Sequence, residues 1–148
     1  MEYAWEYAGR YTAYMMELSI LQILAAGLVP FIVGSLWYHP RIFGTRWMSL
    51  KKVTPEMAER SSRLALHSTA VMLFLGIVSS FVFWQVFTAL EVDSFSGALF
   101  TAISIWLGFM VPATLNRILW DHMGVSLYLI ETGQWFVSLV IMSLIFLY

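Results

Sequence analysis

The run LSILQILAAGLVPFIVGSLWY, Leu18–Tyr38, holds 21 residues and no charged side chain. A helix of that length covers roughly 30 Å, the thickness of a bilayer's hydrocarbon core. Three more windows read the same way. They are about Leu66–Leu90, ended by Glu91; Phe95–Leu115, ended by Asn116 and Arg117; and about Val125–Tyr148. Four such windows leave little sequence from which to build a polar surface. The expected fold is therefore all-α, a four-helix transmembrane bundle forming one membrane domain over residues 1–148.

Composition points the same way. Of 148 residues, 60% are hydrophobic and 11% charged, against about 25% charged in an ordinary soluble domain. Soluble enzymes and disordered chains are set aside on that ground. A net charge of -1 leaves no basic excess for nucleic acid. The chain has no Cys, which excludes disulfides, thiolate zinc sites and iron–sulfur clusters.

Basic residues set the expected orientation. Arg41, Arg46, Lys51, Lys52, Arg60 and Arg63 lie in the loop 39–65, and Arg117 follows the third window. These seven fall on one side, and Arg10 alone on the other. The positive-inside rule then places the loop in the cytoplasm and both termini outside, in a multi-pass protein of the cell inner membrane. Glu2 and Glu6 stand where a signal peptide would be basic, so no signal peptide is read. Tyr3, Tyr7, Tyr11 and Tyr14 share one helical face. Residues 1–17 read as an amphipathic interfacial helix, with partner docking through those tyrosines as the functional alternative. Thr54, Pro55 and Glu56 suit a helix start, and no breaker follows before Glu91. The second helix should thus project beyond the bilayer.

The two halves resemble each other. Val29-Pro30 precedes Leu36-Trp37-Tyr38-His39, and Val111-Pro112 precedes Leu119-Trp120-Asp121-His122. A duplicated helix hairpin and chance similarity in apolar sequence both stay open.

The stretch Gly34-Ser-Leu-Trp37-Tyr38-His-Pro40-Arg-Ile-Phe43-Gly44-Thr-Arg-Trp47 resembles a bacterial integral-membrane family, domain of unknown function 1761. Its first helix ends in G-x-L-W-Y-x-P, followed by F-G-x-x-W. Thr114-Leu115-Asn116 is similar to the end of its third helix. The polar step Glu131-Thr-Gly133 is similar to the start of its last. Where the family implies an Asn-like residue early in that helix, this chain has Glu131. The resemblance runs from about Leu18 to the end and implies four spans without an assigned activity.

Polar residues inside spans are the candidates for function. Glu131 lies about 9 Å into a helix that starts at Val125. Gln134 extends its face at i+3. Asn116, Asp121, His122, His39 and His67 map to the same membrane side, and with Glu131 and Gln134 make a candidate polar site or ion path. The alternative reading of Glu131 is a neutral or hydrated carboxyl, or a bundle contact with Arg117. Imidazole and carboxylate suit zinc, iron or copper, and histidines could ligate a haem or chlorin. No E-x-x-H or H-E-x-x-H spacing is present, so no metal or cofactor is expected. Arg41, Trp47, Lys51, Lys52 and Arg117 are the expected lipid or interface contacts. Gly76 and Ser80, Ala98 and Ala102, and Ser104 and Gly108 form small-residue faces for close packing. The functional expectation is a small ion or solute conduit or carrier working as a homo-oligomer. The alternatives are an accessory subunit among other membrane subunits and, third, a metal- or cofactor-bearing enzyme.

Overall fold

The computed structural model describes the backbone of residues 2–148 and the side chains of residues 19–148. Helix α1 spans Glu2–Trp37. A π-helical turn, Pro40–Gly44, leads into α2, Thr45–Lys51. Then come α3, Pro55–Arg63, and α4, Ala65–Ala89. Helix α5, Phe95–Ile105, runs through a π-helical segment, Trp106–Met110, into α6, Val111–Leu119. Helix α7 spans Val125–Leu147. Four stretches are long and apolar enough to cross a membrane: Ser19–Trp37, Ala65–Ala89, Phe95–Leu119 and Val125–Leu147. Among the described residues there is no strand. An even number of crossings puts both chain ends on one face, the terminal face. Helices α2 and α3 lie on the other, the loop face.

The backbone of α1 continues unbroken from the expected interfacial segment into the first span. The Tyr3, Tyr7, Tyr11 and Tyr14 side chains lie outside the described residues. Helix α3 begins as its sequence dictates. Thr54 Oγ1 accepts from the Met57 N–H, Pro55 fills the first turn, and the Thr54 hydroxyl holds the Glu56 carboxyl below the usual carboxylate range. The expected single helix from Pro55 to Glu91 is interrupted at Leu64. Ser62 bonds back to the Glu59 carbonyl at 2.8 Å, a competition with the helical ladder that bends helices. The third span runs past Leu115 to Leu119, carrying Asn116 and Arg117 on its last turn. Its π-helical segment ends just before Pro112, which has no N–H to give to the preceding turn. Pro30 sits inside α1 without such a segment.

Lipid tails are as apolar as leucine, so helices in a membrane associate through close packing and interhelical hydrogen bonds. Both are present here. At the α1–α4 crossing the two backbones touch: a side chain at Gly76 would strike the Gly27 carbonyl. One turn on, Ser80 Oγ donates to the Ile23 carbonyl at 2.7 Å. Ala98 and Ala102 are fully buried where α5 packs on α7. Thr132, Ser138 and Ser143 are small, buried and on α7. Ser104 and Gly108, the third small-residue face, stay exposed. Toward the terminal face Phe83, Phe87 and Phe146 form a ring cluster at 5.6–6.4 Å with Met142 buried beside it.

Helix α7 is the hub. It packs against α1, α4, α5 and α6, and α2 folds onto it. Helix α5 meets the rest of the bundle through α7 rather than through α4. The two halves therefore do not occupy equivalent environments. Trp37 is half-buried and bonded to α7, whereas Trp120, its partner in the internal match, is 78% exposed.

Candidate functional site

Glu131 lies two turns into α7 with its side chain 16% exposed. A carboxylate at that depth requires partners, and three converge on it. Trp47 Nε1 donates to Oε1 at 3.2 Å. Lys51 Nζ stands 3.3 Å from the same oxygen. The Arg117 guanidinium donates to Oε2. Lys51 Nζ also lies over the Trp47 ring, 4.8 Å from its centroid, where the ring quadrupole attracts a cation. Two cations thus face one anion, and one indole fixes its orientation.

Trp47 and Lys51 get there because the chain doubles back after α1. Pro40 opens the turn and the His39 ring nitrogen accepts from the Arg41 N–H. Gly44 is pressed against the Tyr38 carbonyl, where a Cβ would have no room. Thr45 Oγ1 ties back to the Pro40 carbonyl at 2.9 Å. The aromatics of this stretch lock the turn to the bundle. Trp37 Nε1 donates to the Ile130 carbonyl at 2.9 Å, one residue before Glu131. Phe43 packs on Trp37 at 4.6 Å and Tyr38 on Trp47 at 5.3 Å. Every aromatic in W-Y-x-P-x-x-F-G-x-x-W therefore positions the strap that covers Glu131.

The second polar element is Gln134, buried one turn deeper. Its Nε2 donates to the Pro30 carbonyl and to Ser138 Oγ, each at 3.2 Å. A carbonyl only accepts, so the nitrogen must be the atom on Pro30. Both amide hydrogens are then used, and the amide oxygen remains an acceptor. Gln134 lines a groove of about 290 Å³ between α1 and α4, with Pro30, Gly34, Ser35, Tyr38, Ser68 and Thr69. Its walls carry hydroxyls and apolar surface but no charge. Tyr38, at the groove's loop end, stands within electrostatic reach of Glu131 and Arg117. The charged cluster and the uncharged groove are thus neighbours.

The family model described as Protein of unknown function (DUF1761) matches residues 21–147. The chain belongs to this family. No curated protein and no solved structure matches it significantly. The family match spans the strap, the Glu131 cluster and the groove, and leaves out the whole segment before the first span.

Of the residues singled out from sequence, the structure brings Glu131 and Arg117 together and adds Lys51 and Trp47. These last three, expected at the lipid interface, turn inward. Gln134 serves the adjoining groove. Asn116, Asp121, His39, His67 and His122 are exposed and none is bonded to Glu131. His122 lies three residues past the end of α6, in the connection to α7, with φ 52 in the left-handed region. Arg41 and Lys52 are also exposed, and Lys52 ends α2 in the same left-handed conformation. Among the described residues, no three His, Asp or Glu side chains gather to hold a metal ion.

Sequence reading missed three bonds onto backbone carbonyls. They are Trp37 to Ile130, Trp106 Nε1 to the Thr132 carbonyl at 2.9 Å, and the Tyr128 hydroxyl to the Val111 carbonyl at 3.1 Å. None of them carried a signal: a proline frees the carbonyl four residues before it, and none of these three carbonyls stands there.

Proposed function

We propose that this protein is a carrier or conduit for a small, uncharged polar solute in the cell inner membrane, working as a homo-oligomer. One observation carries the reading. Gln134 is buried in a span, and its open amide oxygen belongs to a side chain that lines an uncharged groove. A solute donating a hydrogen bond would be held there, with the hydroxyls of Ser35, Ser68 and Thr69 as further partners. A charged solute would find no counter-charge in those walls. Toward the terminal face the backbones of α1 and α4 meet at Gly27 and Gly76, and the Phe83, Phe87 and Phe146 rings pack between α4 and α7. The strap held on Glu131 borders the loop end through Tyr38. Its release and return are the gating motion this reading needs. Ser104 and Gly108 leave a small-residue face of the third span exposed, a surface on which a helix of a second copy can pack closely, which favours assembly of several copies. Seven of the eight basic residues lie on the loop face, which supports a cytoplasmic loop face and outward termini.

The test is stopped-flow light scattering of proteoliposomes in gradients of urea, glycerol and erythritol, with a pH dye for protons. Permeability above protein-free liposomes for a neutral solute, and none for protons, supports the reading. Wild-type protein that moves none of these solutes overturns it.

An accessory role in a larger membrane complex is favoured by one observation, the continuation of the α1 backbone some 17 residues beyond its apolar span. Native mass spectrometry after gentle extraction decides between the readings. Foreign subunits support the accessory role, and copies of this chain alone support the carrier.

A further inference from the structure

Helix α2 has a second working side. Trp47 and Lys51 turn to Glu131, while Arg46 turns to a separate cleft of about 190 Å³ that it lines with Phe43, Ser126, Leu129 and Ile130. The chemistry of this cleft is amphiphilic. One wall is a guanidinium, which is always charged. Beside it is the Ser126 hydroxyl. The remaining walls are an aromatic ring and two aliphatic side chains.

Among the described residues, neither the Arg46 side chain nor the Ser126 hydroxyl has a hydrogen-bond or ion-pair partner. That sets Arg46 apart from Arg117 and Lys51, held by Glu131, and from Arg63, held by Glu59 at 2.7 Å. The cleft also sits at a telling depth. Ser126 and Leu129 belong to the first turns of the Val125–Leu147 span, where headgroups meet acyl chains. Leu129, one of its walls, is 59% exposed. A polar head on Arg46 and Ser126 would leave an acyl chain lying along Leu129.

We infer that the Arg46–Ser126 cleft binds a phosphate group, the headgroup of an anionic phospholipid or a free phosphate. An arginine fork matches phosphate oxygens, and the hydroxyl adds a donor. The site is independent of the Gln134 groove and stands or falls separately from the carrier reading.

Native mass spectrometry of the purified protein in detergent tests it. Phosphatidylglycerol is titrated against phosphatidylcholine, and then competed with inorganic phosphate. Wild-type protein is expected to retain phosphatidylglycerol about fivefold better than phosphatidylcholine, the contribution of one basic side chain at a membrane surface. Arg46→Gln abolishes that preference, Ser126→Ala reduces it, and Arg41→Gln on the same loop leaves it intact. Arg46 is exposed and unpaired, so an unchanged melting curve shows that the variant is folded. Displacement of the lipid by inorganic phosphate supports a site for the anion itself. Retention of lipid against phosphate supports the apolar walls and makes the lipid the occupant. An Arg46→Gln protein that keeps the wild-type preference overturns the inference, as does an Arg41→Gln protein that loses it equally.

Discussion

Trp47 reaches across 84 positions of sequence to donate its indole N–H to Glu131 at 3.2 Å. The bond joins a loop-face helix to the central helix of the bundle. It turns the segment after the first span from a free loop into a strap. Lys51 arrives through the same strap, and Arg117 closes the cluster from α6. The consequences are measurable.

Glu131→Gln leaves Lys51 and Arg117 facing each other without the anion between them. Stability should fall by about 1–3 kcal/mol, below the roughly 3–5 kcal/mol of a fully buried pair because the cluster is partly hydrated. Either Lys51→Gln or Arg117→Gln alone should cost less, since one cation remains. In a Glu131→Gln background neither should add to the loss. Thermal unfolding in detergent reads all three, and strictly additive losses would count against the cluster.

Trp47→Phe keeps the ring over Lys51 and removes only the donor. A hydrogen bond to a charged group contributes about 1.5–3 kcal/mol, so the strap should open more often. Trypsin should cut faster after Arg46, Lys51 and Lys52 in the variant, while cleavage after Arg60 and Arg63 stays as in wild type. Equal acceleration at all five sites would point to global loosening instead.

Gly76→Ala places a methyl group against the Gly27 carbonyl. The backbones of α1 and α4 must part, at a cost of about 1–3 kcal/mol for overpacking. Gly108→Ala meets nothing within 4 Å and should be neutral. The pair of melting temperatures checks the crossing, and matched values would mean that α1 and α4 do not touch at Gly76.

Because the chain has no cysteine, single cysteines report topology cleanly. A membrane-impermeant maleimide should label Asp93→Cys in intact cells and Ser61→Cys only after permeabilisation. The reverse pattern would invert the orientation.

The four helices were legible because each apolar window is as long as a bilayer is thick, and no alternative satisfies the backbone there. Glu131 stood out because a carboxylate in such a window must find a partner, and Arg117, one helix earlier, was the nearest cation. Trp47 and Lys51 were not legible as its partners. Their approach depends on the π-helical turn at Pro40–Gly44, and a basic, aromatic stretch looks the same in sequence whether it faces lipid or folds inward. The position of α7 at the hub was also hidden. Thr132, Ser138 and Ser143 announce close packing, but small residues do not name the helix they pack on. The Val-Pro repeat suggested equivalent halves. The structure keeps α1 regular through Pro30 but runs a π-helical segment into Pro112, two different solutions to a proline within a span.

The most direct measurement is solute-driven swelling of proteoliposomes carrying wild-type protein or Gln134→Leu, at matched protein content and with matched melting curves. Leucine fills the same space without an acceptor or a donor. The carrier account predicts that a neutral solute permeant through wild type loses at least tenfold of its rate in the variant, about 1.4 kcal/mol or more of lost transition-state binding. Equal rates in the two proteins would contradict it.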